Sequence, residues 1–229
     1  LMGLRAVIAS SYDPLDVSEL TVEEIKAVVA AAKNWNTYVA VHVYTAEGIK
    51  RALEAGVISI EHGHFLDEET ARLMKKKGAW LGIQPFQEGD PSQLALPPEK
   101  SAKWSETVKG FENAMDLAVK YDLNLSYGTD FLFDPASNGV QASQLARFSK
   151  WLSNAEMLQL ITSENARLLE LSGPRHPYRE GPLGVIAEGA YADLILVDGN
   201  PLEDLDLIAD PEANFDLIMK DGKIYKNDL

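Results

Sequence analysis

Thr37-Tyr38-Val39-Ala40-Val41-His42-Val43, running on into Tyr44-Thr45, is the stretch on which the fold turns. It is β-branched and apolar almost without a break, as a strand covered on both faces should be. A strand with one wet face would alternate instead. Helical signals flank it on both sides. Upstream, Thr21-Val22-Glu23-Glu24 offers a hydroxyl cap followed by acids in the first turn, and Ile25, Val28, Val29 and Ala32 recur at helical spacing. That helix should stop near Asn34. Downstream, residues 45–55 predict a second helix.

The alternation repeats outward from there. Residues 57–61 predict a strand, 67–77 a helix capped by Asp67, and 79–83 a strand. A loop rich in Pro, Gly and Gln runs through Pro98, then residues 101–121 predict a helix and 123–127 a strand. Strands separated by helices of this length imply parallel pairing through helical crossovers. With a further short apolar run at 4–9, closed by the loop Ser10-Ser11-Tyr12-Asp13-Pro14, this amounts to about half of an eight-stranded (β/α) barrel. A whole barrel takes roughly 250 residues.

Beyond Asp130 the texture changes. Residues 140–151, 153–161 and 163–171 predict successive helices, closed by Gly173-Pro174. Short strands follow at 189–197, 215–220 and 223–225, the last two joined by Asp221-Gly222, a strong hairpin signal. The expected organisation is α/β: residues 1–172 as a partial barrel with trailing helices, and 173–229 as a partial β-sandwich.

Composition narrows the function. The 229 residues carry 21 basic against 35 acidic side chains, a net charge of −14, which argues against a nucleic-acid partner. The one basic cluster, Lys75-Lys76-Lys77, ends an acidic-to-basic helix, where the helix dipole favours it. With no cysteine there is neither a disulfide nor a thiolate ligand, so any metal must be held by His and carboxylate. No apolar run is long enough to span a membrane, and residues 1–11 lack the pattern of a signal peptide. They read as a chain entering in mid-fold, and a cytoplasmic location is the expectation.

In parallel barrels functional side chains gather where strands end and loops begin. His42 lies near one strand end, His62 directly after the next, and Asp130 just after the last. Taken singly, each has a bland reading: a hydrogen-bonded structural histidine, or an aspartate capping a turn. Together, two imidazoles and a carboxylate on one rim make a site for zinc or a similar divalent ion. Tyr44 is placed either to meet substrate or to pack under the rim. His64 either lines the pocket or hydrogen-bonds a loop, and Gln84 ends its strand facing substrate. His176 sits in an ordinary turn.

Val41-His42-Val43-Tyr44-Thr45, Ile60-Glu61-His62-Gly63-His64 and Tyr127-Gly128-Thr129-Asp130 resemble the fifth-, sixth- and eighth-strand motifs of the amidohydrolase superfamily, in its imidazolonepropionase and Xaa-Pro dipeptidase-like branch. Ser10-Ser11-Tyr12-Asp13-Pro14, Thr162-Ser163-Glu164-Asn165-Ala166-Arg167-Leu168-Leu169 and the run from Gly189 to Leu202 are similar too. The resemblance implies that His42 and His62 are metal ligands, and that Asp130 binds metal and takes a proton from the attacking water. It implies a hydrolase of an amide or peptide bond in a small dipeptide-like substrate, with deamination or opening of a cyclic amide as the within-family alternative. It also marks departures. The first-strand His-X-His pair is absent, and the bridging lysine of strand four would fall just before Leu1. The binuclear centre is therefore expected to be incomplete. The competing expectation is a catalytically incomplete fragment that acts only with a complementing N-terminal segment or as a homo-oligomer.

Overall fold

Thr21 closes the first turn of α1 (Val22–Asn34) as the sequence predicts. Its hydroxyl accepts from the Glu24 amide, while the Glu24 carboxylate accepts the Thr21 N–H at 2.8 Å. A computed structural model describes residues 14, 15, 17–87, 89, 90, 93, 96–130 and 135–229. The apolar run expected as a strand at 4–9 lies outside the described residues.

From α1 the chain runs through β1 (Ala40–Thr45), α2 (Ala46–Ala55), β2 (Ser59–Phe65), α3 (Glu68–Lys77), β3 (Trp80–Gly82), α4 (Pro98–Lys120) and β4 (Asn124–Ser126). The four strands pair in parallel in the order β1-β2-β3-β4, each joined to the next by a helical crossover. This is the half-barrel connectivity the alternation predicts. Asp67 caps α3, and Gly78 ends it in the left-handed conformation that glycine adopts without a Cβ penalty. Val41, Val43, Ile60 and Leu81 from the strands, with Ile49, Leu53, Met74 and Met115 from the helices, form a fully buried core between the two layers. Strand pairing sets His42, Glu61, Gly82 and Ser126 at one level across all four strands.

After Asp130 two expectations are corrected. Where the apolar spacing at 140–151 suggested an α-helix, the chain forms a 3-10 helix over Pro135–Phe148. Its buried Leu145 and Phe148 lie three apart, the spacing that stacks on one side of a three-residue turn. Nor are there two separate helices at 153–161 and 163–171. α5 (Asn154–Gln159) continues through a π turn at Leu160–Glu164 into α6 (Asn165–Glu170) without leaving the helical region.

The last segment forms a separate antiparallel sheet of β5 (Leu194–Val197), β6 (Phe215–Lys220) and β7 (Lys223–Asn227), with the short α7 (Pro211–Asn214) before β6. Asp221 and Gly222 turn the hairpin with φ of 51° and 71°, the left-handed pair a two-residue turn needs. Leu194, Ile195 and Leu196 of β5 are all exposed. By internal contacts one compact unit ends at Asp130 and takes in Leu171–Arg175, and the other holds the residues beyond, to Leu229. No helix among the described residues is long and apolar enough to cross a membrane.

Candidate active site

The site grows from an irregularity in β2. His62 and Gly63 have φ of 78° and 60°, so two consecutive residues inside a strand are left-handed. The pairing with β1 shifts there: Val43 faces His62, but Thr45 faces Phe65, leaving Tyr44 opposite both Gly63 and His64. This is a bulge, and such extra residues re-aim side chains at functional rims. Gly63 is required twice over. A side chain there is disfavoured by its φ, and a Cβ would lie 2.5 Å from Leu81 Cδ1. A non-glycine residue held like His62 costs on the order of 1 kcal/mol, which the surrounding packing must offset.

The bulge gathers three rings. Tyr44 lies flat against His62, with centroids 4.5 Å apart and planes at 9°, and beside His64 at 5.6 Å and 21°. Phe86 stacks on the other histidine, His64, at 5.3 Å and 6°, and Trp104 closes over Phe86 at 4.5 Å. The Trp104 indole donates to the Gln87 carbonyl, which fixes the outer ring.

Hydrogen bonds then set the imidazoles. The Gln84 amide nitrogen donates to the Gly82 carbonyl, so its oxygen is the atom facing His62 Nδ1 at 2.6 Å. That oxygen can only accept, so His62 Nδ1 carries the proton and Nε2 is left bare. His62 Nε2 faces His42 Nδ1 at 2.9 Å, and His42 therefore donates. His64 Nε2 donates to the Gln84 main-chain carbonyl at 2.9 Å. Its Nδ1 is consequently a bare acceptor, buried and without a partner among the described residues.

Electrostatics follow from burial. Loss of water holds His62 neutral, its pKa pushed down to about 3 with His64 and His42 adding to the effect, and His64 is pushed down to about 4. The Tyr44 phenol is pushed up by burial and by the charge of Asp130. Asp130, itself left-handed at φ 56° and partly exposed, has its carboxyl raised on balance, by partial loss of water against a lowering by His42.

The expected residues are thus distributed unevenly. His42 and His62 meet directly. Asp130 lies within electrostatic range of His42 and Tyr44. Tyr44, His64 and Gln84, expected at substrate, are only 3, 0 and 4% exposed. Among the described residues no three His, Asp or Glu side chains are arranged to hold an ion. The facing nitrogens of the histidine pair, 2.9 Å apart, lie a few tenths of an ångström closer than the roughly 3.3 Å that separates two imidazoles on a tetrahedral ion with bonds of about 2.0–2.1 Å.

Glu61 is a half-buried carboxylate next to the histidine pair, within electrostatic range of His42, that the strand pattern did not single out. Ser59 Oγ donates to it at 2.7 Å, and its other oxygen lies over Gly82, in the space a Cβ would fill. Burial raises its carboxyl pKa, Ser59 and His42 pull it down, and Asp130 raises it again. The alternation of Ser59 and Glu61 about Ile60 was the available signal, since it puts both polar residues on one face of the strand.

A parallel half-barrel with two histidines facing each other from adjacent strands, and a small antiparallel sheet after it in the chain, define the class of barrel proteins with a β appendage. The chain belongs to the amidohydrolase family, whose family model it matches over residues 6–226. It is 30% identical over 224 residues to an ochratoxinase of Aspergillus niger, covering 96% of this chain and 44% of that protein. Among solved structures it is similar to a prolidase complexed with N-methylphosphonate-L-proline, at 31% identity and a TM-score of 0.85, over 96% of this chain and 52% of that one. A Xaa-Pro dipeptidase with bound methionine in its active site is similar at 30% identity and a TM-score of 0.78, over 92% and 50%. The chain spans about half the length of these relatives.

Proposed function

We propose that this chain contributes to a hydrolase that cleaves the amide or peptide C–N bond of a small, dipeptide-like substrate. The observation that carries the reading is the facing of His42 Nδ1 and His62 Nε2 at 2.9 Å, from adjacent parallel strands. In this reading His42 and His62 hold a divalent ion, zinc foremost. The ion would activate water and polarise the scissile carbonyl. Asp130, which lies within electrostatic range of His42, would in this reading accept a proton from the water and pass it to the leaving amine. Tyr44 stacks against His62 and His64. Membership of the amidohydrolase family and similarity to a prolidase and an ochratoxinase support an amide-bond substrate. Deamination and cyclic-amide opening are the within-family alternatives. The test is zinc bound per chain, measured beside His42→Asn and His62→Asn, followed by hydrolysis of Xaa-Pro dipeptides. Zinc retained undiminished in both variants would place any ion elsewhere and sink the reading.

A second reading rests on the same half-site. With no group of three ligands among the described residues, the remaining ligands would come from a complementing segment or from a second copy of this chain. The exposed Leu194, Ile195 and Leu196 offer apolar surface for such association. Sedimentation of the purified chain should then give a dimer or larger species. A strict monomer that hydrolyses dipeptides would rule this out.

A further inference from the structure

We propose that Gln84 is a positioning residue that sets the tautomers of two histidines at once, His62 through its side chain and His64 through its main chain. The sequence suggested contact with substrate; in the structure the side chain is hydrogen-bonded to His62 and Gly82. Gln84 is buried, and both ends of its amide are engaged: the nitrogen with Gly82 O at 3.3 Å, the oxygen with His62 Nδ1 at 2.6 Å. An amide can serve as such a switch because its two ends differ. The Gly82 carbonyl can only accept, which fixes the nitrogen toward it and leaves the oxygen for His62. The direction of the chain of bonds is then determined: His42 Nδ1–H to His62 Nε2, His62 Nδ1–H to Gln84 Oε1, Gln84 Nε2–H to Gly82 O.

The two histidines are held oppositely. Gln84 Oε1 keeps His62 as the Nδ1–H form, with Nε2 bare toward His42. Gln84 O keeps His64 as the Nε2–H form, with Nδ1 bare inside the aromatic shell of Tyr44, Phe86 and Phe111. One residue therefore decides which nitrogen of each ring can accept. Partners of this kind on a ligating histidine change metal affinity by roughly 10- to 100-fold. The ligand role of His62 rests on the proposed function; the tautomer assignment does not.

The experiment separates the two. In the metal-free chain, two-bond proton–nitrogen correlations of the histidine rings report each tautomer directly. Wild type should show His62 as Nδ1–H and His64 as Nε2–H. Gln84→Met removes the side-chain acceptor and keeps the main chain, so His62 should shift toward a mixture while His64 stays unchanged. The retained His64 signal doubles as the control that the variant is folded. Gln84→Glu keeps an acceptor oxygen and should keep His62 as Nδ1–H, which covers the case in which Gln84→Met fails to fold. Zinc affinity, where it is measurable, should fall on the order of 10- to 100-fold in Gln84→Met and less in Gln84→Glu. A wild-type His62 in the Nε2–H form, or an unchanged His62 in Gln84→Met, overturns the proposal. Tautomers that behave as stated in a chain that never binds zinc would leave Gln84 in this role and remove the metal reading instead.

Discussion

The ring of Tyr44 lies flat on that of His62, 4.5 Å between centroids and 9° between planes, and that stack is what the bulge in β2 makes possible. In a regular pairing a single residue of β2 would face Tyr44. Here two do, and both histidine rings come within stacking distance of one tyrosine.

Removing the ring should therefore cost both packing and aim. Tyr44→Ala is expected to lower stability by about 3–5 kcal/mol, the range for deleting a buried aromatic, while Tyr44→Phe keeps the stack and costs far less. Urea unfolding of the two variants checks this. Equal losses would mean that the buried hydroxyl, and not the stack, matters.

The level shared by Glu61 and Gly82 gives a second prediction. Gly82→Ala should destabilise by about 1–3 kcal/mol, because the new methyl group enters the space taken by Glu61 Oε2. In a Glu61→Gln background, where length is kept and charge removed, the cost should persist. In a Glu61→Ser background it should largely vanish. Thermal unfolding of the six proteins, each background with and without Gly82→Ala, distinguishes crowding from electrostatics.

Zinc should change the tautomer of His42 and leave that of His62 alone. His42 Nδ1 carries a proton in the metal-free chain and faces the space between the rings, so an ion there needs that nitrogen bare and the proton moved to Nε2. His62 Nε2 is bare already. Ring nitrogen shifts recorded with and without zinc read this out, and a change at His62 instead would reverse the assigned direction of the hydrogen bond.

Acid should loosen the contact between α3 and α4. The Glu68 carboxylate accepts from Lys120 at 2.8 Å and from the Tyr121 hydroxyl, with Arg72 at 3.0 Å, and these partners hold its pKa down to about 2. A carboxyl depressed in the folded state stabilises above its unfolded value near 4.5, and the contribution disappears as pH falls toward 2. The group is open to solvent, so the effect is small and screened by salt. Glu68→Gln should flatten the acid side of the stability curve, and the difference from wild type should shrink in 1 M salt.

Most of the parallel sheet was legible because its signals are local. Thr21 and Asp67 announce their helices through cap chemistry, and the unbroken apolar run into Val43 can only suit a doubly covered strand. The site was legible as residue types at strand ends, which is why His42 and His62 could be named. Their contact depends on the left-handed turn at His62 and Gly63, and no local preference distinguishes that from a strand simply ending at Glu61. Gln84 was visible as a polar residue at a strand end, but its direction is decided by the Gly82 carbonyl, a main-chain partner without a sequence signature. The 3-10 helix at Pro135–Phe148 escaped for a related reason: apolar residues three apart suit both helix types.

The π turn at Leu160–Glu164 has a consequence for length. A π turn holds one residue more than the helix around it needs, and Gly184 packs its backbone into the Thr162 main chain there, with a Cβ position only 2.5 Å from that carbonyl carbon. Shortening this stretch by one residue would let the helix close into a regular ladder and swing everything after it by about 100° around the axis. Gly184 would then meet a different carbonyl. Over the four positions after the buried Leu160 the chain should tolerate many changes of side chain and no change in their number, so an alignment that opens a gap there pairs residues that do not occupy the same place in space.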